Sequence, residues 1–273
     1  MRQPETGPFN LRASALLMAV LAVAGCGGGS KGIDSSRAGL GGVAPVYVAR
    51  DGAEVRRLHE YQNLVTLAGA ELGTGNLAAA ETRARSAQKL FPDRPDALVL
   101  LAAVADRRGD AAEAGRLLER SATLAPDRGD VLNNYGAWLC ERGRAAESLA
   151  WLDRAVAAPG YATPEVALSN AGACALQAGE GARAERALRG ALARAPRDPR
   201  ALESMARLSF EQGSFMEARA FAERRLAAAP ATRSVLQLAS QIEARLGDPR
   251  AAERYLQRIR QEFPQEAGTN SKG

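Results

Sequence analysis

Aromatic residues make up only 5% of this 273-residue chain, and it carries one histidine, His59, and three cysteines, Cys26, Cys140 and Cys174. The shortage of aromatics, set beside abundant alanine and arginine, argues against a β-sandwich and suits helices. A single histidine and the lack of any metal-ligand spacing leave no metal site, and without a CxxC pair there is no thioredoxin-like redox motif. No basic run is interleaved with aromatics, so nucleic acid is not an expected partner. Lys31 lies in a glycine-rich stretch, but the G-x-x-x-x-G-K-[ST] spacing of a phosphate loop is missing. With no nucleophile elbow either, no constellation supports an enzyme, and neither a cofactor nor a small-molecule substrate is expected. What is present is a 46% hydrophobic composition, enough for a sizeable core, and a net charge of +5. The basic residues alternate with acidic ones, the mark of a solvated helical surface.

The N-terminus reads as an address. Arg2 and Arg12 flank the first twelve residues, and "ASALLMAVLAVAGC" follows as an uncharged apolar run. Its length is that of a secretory core and falls short of a permanent bilayer span. The run ends at "VAGC", which resembles a bacterial lipobox with Val23, Ala24 and Gly25 before Cys26. That resemblance implies cleavage after residue 25 and acylation of Cys26, the covalent lipid being the one prosthetic group expected. Several acyl chains hold a protein to a bilayer where one holds only marginally. In lipoproteins an Asp after the cysteine commonly signals inner-membrane retention; Gly27 stands there, which implies a lipid anchor in the outer membrane, facing the periplasm. Residues 26–50, rich in glycine and serine, read as a flexible tether with an expected reach of roughly 25 Å.

From residue 51 to 266 the chain repeats itself. Gly75, Gly109, Gly143, Gly179, Gly213 and Gly247 stand 34, 34, 36, 34 and 34 residues apart. Eleven residues before each is a leucine: Leu64, Leu98, Leu132, Leu168, Leu202 and Leu236. Five residues after each is a small residue: Ala80, Ala114, Ser148, Ala184, Ala218 and Ala252. Seventeen after stands proline, except at Gly160, where two extra residues in "PGYATP" account for the longer spacing. This register resembles the tetratricopeptide repeat, a helix–turn–helix of 34 residues. The resemblance implies an all-α, right-handed superhelical solenoid of about six repeats (61–94, 95–128, 129–162, 165–198, 199–232 and 233–266), with A helices lining a concave face. Asp51 is expected to cap the first helix, with Glu54 three residues on. Residues 267–273 read as a polar tail with no separate capping helix.

Cys140 and Cys174 fall at positions 12 and 10 of the third and fourth A helices. Adjacent helices pack about 8–10 Å apart, which brings facing Cα atoms within disulfide reach. An oxidising compartment agrees with a bond between them. The alternative is two buried thiols acting as small hydrophobes. Trp138 and Trp151 read either as exposed anchors or, at helical spacing among apolar residues, as core.

A closer resemblance rests on "NNYGAWLCERGRAAESLAWLDRAVA", the two-residue expansion with Tyr161 and Pro164, and "ALSNAGACALQAG". These segments are similar to the type IV pilus biogenesis/stability lipoproteins, the PilF/PilW family, which has a lipobox, six repeats and a cysteine pair at these places. The resemblance implies an outer-membrane pilotin that helps the pilus secretin (PilQ-like) reach the outer membrane and multimerise. A-helix positions that line the groove in such repeats select Asn133, Asn134, Ala137, Asn170, Glu203, Arg207, Phe210 and Glu211 as partner-binding residues. The competing reading is a scaffolding lipoprotein of another envelope system, such as outer-membrane protein assembly or polysaccharide export.

Overall fold

The computed structural model describes residues 52–264. The leader, Cys26, the tether, Asp51 and the polar tail lie outside the described residues. The described chain holds twelve α-helices and no strand: α1 (Ala53–Gly73), α2 (Leu77–Leu90), α3 (Pro95–Arg107), α4 (Ala111–Leu124), α5 (Gly129–Glu141), α6 (Ala145–Ala157), α7 (Pro164–Gln177), α8 (Gly181–Arg194), α9 (Pro199–Glu211), α10 (Phe215–Ala228), α11 (Arg233–Arg245) and α12 (Pro249–Glu262).

Each pair of helices is one turn of the sequence register. The six landmark glycines all adopt φ between +76° and +85°. In that left-handed region a side chain is strained and glycine is not, so the turn from one helix to its partner can be tight. Gly160, standing where the other repeats have proline, also has a positive φ of 69°. The small residues five positions after the turns are sealed between paired helices: Ala114, Ser148, Ala184 and Ala218 are 0% exposed, Ala80 1% and Ala252 8%. A larger side chain there would push the helices apart. Leu98, Leu132, Leu202 and Leu236 are buried as well, whereas Leu64 and Leu168 are half-buried.

Every odd-numbered helix packs on its even-numbered partner; each after α1 also packs on the even-numbered helix before it, and each before α11 on the next odd-numbered helix. No even-numbered helix touches another even-numbered one among the described residues. The odd helices are therefore closer together than the even ones, and the stack curves with the odd helices on its inner side. The core runs along the stack as a chain of clusters rather than a single centre. One joins Ala102, Leu118, Leu132, Tyr135, Leu139, Ala155 and Ala167 across helices α3 to α7.

Local signals set the helix starts. Asn76, Asp110, Thr232 and Asp248 accept a hydrogen bond from the backbone N–H three residues on, and Asp198 from the one two residues on. These bonds satisfy donors that a helix end otherwise leaves open. At α1 the residue before the helix is Gly52, which has no side chain to cap with. The two extra residues after α6 place Tyr161 over the start of α5. A Cβ built on Gly129 would come within 2.5 Å of Tyr161 Cγ, so that position has room only for glycine.

Candidate functional site

An open trough of about 720 Å³ lies on the inner side of the stack between α7 and α9. Ala173, Leu176 and Gln177 form one wall, Arg200, Glu203, Ser204, Arg207 and Glu211 the floor, and Arg225 reaches in from α10. Residues three and four apart on a helix share a face, which is why α9 presents Arg200, Glu203, Arg207 and Glu211 together. Three of the predicted groove residues, Glu203, Arg207 and Glu211, thus line this trough.

The other predicted residues sit elsewhere. Phe210 turns away from the trough and packs against the cluster of Ala206, Leu238, Ala239 and Ile242, its ring 5.5 Å from that of Phe215. Asn133 and Asn170 are each only 7% exposed, and Asn170 Nδ2 donates to Asn133 Oδ1 at 2.9 Å. Their amides therefore hold α5 to α7, because buried polar groups need partners. Asn134 is exposed and Ala137 half-buried, both away from the trough. Trp138 and Trp151 are packed against the core rather than displayed. Trp138 Nε1 donates to Asp106 Oδ1 at 3.1 Å, and its ring rests where a Cβ on Gly115 would be 2.5 Å away. The Trp151 ring meets Tyr135 edge-on at 5.0 Å.

The feature that sequence reasoning missed is Arg225. Twelve residues after the landmark glycines stand Ala87, Ser121, Ala155, Ala191, Arg225 and Ile259, so an arginine occupies a slot that four repeats fill with alanine or serine. That break in register was the available signal. Arg225 is 5% exposed, and its Nη1 donates to the carbonyls of Ala229 at 3.3 Å and Pro230 at 3.1 Å. Its Nε lies 3.4 Å from Glu203 Oε2, close enough for an ion pair but not aligned as a hydrogen bond. Glu203 Oε1 accepts from Ser234 Oγ at 2.7 Å. A buried guanidinium is stable only when paired and hydrogen-bonded, and this set of contacts does both.

Cys140 of α5 and Cys174 of α7 are bonded to each other, with Cα atoms 5.7 Å apart. Both are buried, at 5% and 2% exposure. The bond ties α7, one wall of the trough, to the preceding repeat. His59 is exposed on α1, and among the described residues no group of three or more His, Cys, Asp or Glu could hold a metal ion. No described helix is long and apolar enough to cross a membrane.

Comparison with known proteins follows the same lines. Family models of the tetratricopeptide repeat match residues 65–129 and 175–242. No curated protein matches the chain in sequence. Among solved structures, PilW, described as a widely conserved type IV pilus biogenesis factor, is 28% identical. The match covers 75% of this chain and 94% of PilW, with a TM-score of 0.68. PilF of Pseudomonas aeruginosa shares the fold at 22% identity, covering 77% of this chain and 94% of its own, with a TM-score of 0.69. A tetratricopeptide-repeat protein from Parabacteroides merdae does so at 18% identity, over 77% of this chain and 80% of its own, with a TM-score of 0.57. Register, helix pairing and these likenesses converge: the chain is an all-α tetratricopeptide-repeat solenoid of about six repeats, a PilF/PilW-like protein.

Proposed function

We propose that this chain is a lipid-anchored protein of the outer membrane that acts in type IV pilus biogenesis, by holding a segment of a partner protein in the trough between α7 and α9. The partner is the pilus secretin, whose localisation and multimerisation the chain promotes. The observation that carries this reading is the likeness to PilW, which spans 94% of that protein and 75% of this chain. The trough adds a surface of the right kind, open, polar along its floor and walled on one side by Ala173, Leu176 and Gln177. Work is done by binding, not by chemistry. The staple between Cys140 and Cys174 keeps the wall in place while a partner is engaged. Acyl chains on Cys26 hold the chain at the membrane surface.

The test is a deletion strain scored for surface pili and for detergent-resistant secretin multimers in outer-membrane fractions, then complemented with the intact gene. Loss of both, restored on complementation, is expected. A pull-down from detergent-solubilised envelopes should recover secretin. Normal piliation and normal multimers in the deletion strain would overturn the proposal.

A further inference from the structure

We propose that the trough selects an acidic, extended segment of its partner, read by Arg200 and Arg207. This deepens the reading above and rests on the trough being the partner-binding face. Five charged groups reach the trough: Arg200, Glu203, Arg207, Glu211 and Arg225. Glu203 and Arg225 are occupied with each other, with Ser234 and with two backbone carbonyls. Neither the Arg200 nor the Arg207 guanidinium has an ion pair or hydrogen bond among the described residues. Both are exposed on α9. The buried arginine at position 225 is what leaves the floor basic: it cancels the one carboxylate placed between the two open guanidiniums. Guanidinium forks match carboxylates in a way that neutral side chains do not.

The spacing specifies the ligand further. Seven residues separate Arg200 from Arg207, two helical turns or about 10 Å along α9. A polyproline-II-like segment brings residues i and i+3 to one side, about 9 Å apart. Two carboxylates at that interval therefore meet both guanidiniums at once. Glu211 lies one further turn along and disfavours a third carboxylate, so the partner carries a lysine or a neutral residue three positions beyond the second acid. The order along α9 is acid, acid, base.

The probes are fluorescein-labelled ten-residue peptides in an Ala/Gln background carrying Glu-x-x-Glu-x-x-Lys, in forward and reversed order, titrated into the mature chain and followed by anisotropy at low salt. One of the two orders should bind, and raising the salt should weaken it, as charge pairing in an exposed groove requires. Gln in place of both Glu residues, or the double change Arg200→Gln with Arg207→Gln, should weaken binding at least about tenfold. Arg250→Gln, on exposed α12 surface outside the trough, should leave it within about twofold. Arg207→Glu should restore binding to a peptide with Lys in place of the matching Glu. Matching thermal melts of the variants exclude unfolding as the cause. Equal binding of the Gln peptide, binding indifferent to Arg200 and Arg207, or no binding of either order would overturn the proposal. The pilus reading is decided separately: peptide failure with a non-piliated deletion strain removes only the acidic segment. Arginine-dependent binding with a fully piliated deletion strain removes only the pilus role.

Discussion

Reducing the bond between Cys140 and Cys174 should take several kcal/mol out of the middle of the stack. The two cysteines are 34 residues apart, so the bond closes a loop of one whole repeat in the unfolded chain. In the chain-entropy account, a loop of that size lowers unfolded-state entropy enough to stabilise the fold by about 4 kcal/mol. Both sulfurs lie in a cluster with Leu149, Leu152, Ala171, Ala175 and Ala184, so replacing them with alanine also leaves a void. Removing that packing adds roughly 1 kcal/mol. Three forms should therefore rank in order: oxidised chain, reduced chain, then the Cys140→Ala/Cys174→Ala double variant. Urea unfolding followed by tryptophan emission is the assay, because Trp138 on α5 and Trp151 on α6 both belong to the repeat that the bond anchors. At a slope of about 2 kcal/mol per molar urea, reduction should lower the midpoint by roughly 2 M. An unchanged midpoint, in a sample where both thiols have been shown to alkylate, would refute the account of the bond as a staple.

Five further outcomes are expected. Gly172→Ala should destabilise by about 1 kcal/mol, since its Cβ would lie 2.4 Å from Cγ of the fully buried Leu188, outweighing the better helix propensity. Gly69→Ala, the same change where the nearest atom is Leu100 Cδ2 at 4.0 Å, should instead stabilise by roughly 0.5–1 kcal/mol; equal signs in thermal melts would contradict this packing. Arg225→Ala should destabilise by about 2–3 kcal/mol by stranding Glu203, and Glu203→Ala in that background should recover part of the loss, as a double-mutant cycle in urea would measure. Burial foremost, and then the neighbouring Asp96 carboxylate that accepts its hydroxyl proton, hold the Tyr61 phenol well above its ordinary value of 10.0. The neutral form is the one the fold favours, so this contribution is complete below pH 10 and is lost as pH rises further; between pH 9 and 11 the intact chain should lose more stability than Tyr61→Phe, and parallel curves would refute it. Cys26→Ala should move the protein from the membrane to the soluble fraction on cell fractionation; continued sedimentation with membranes would count against the lipid anchor.

Much of the architecture is legible because the repeat imposes steric demands that few residues meet. A left-handed turn every 34 residues asks for glycine, and a close crossing of paired helices asks for alanine or serine, so both leave marks at fixed intervals. The groove was legible only in part. Glu203, Arg207 and Glu211 fall where the A-helix register puts them, but Phe210 in the same helix is drawn into the core by Phe215 and Leu238. Asn133 and Asn170 have the residue type of a backbone-reading pair, yet each finds the other across the α5–α7 contact. Spacing along a helix does not report which neighbour a side chain meets across a repeat boundary.

The sequence alone determined the six-fold register, the all-helical class and the candidacy of two cysteines for a bond, because these depend on local backbone and packing rules repeated along one chain. The tertiary structure alone decided that Arg225 is buried in a small-residue slot, that it cancels Glu203, and that Arg200 and Arg207 remain open above it. Those facts depend on where successive repeats bring distant side chains into contact, and a charge becomes available or spent only once its neighbours are in place.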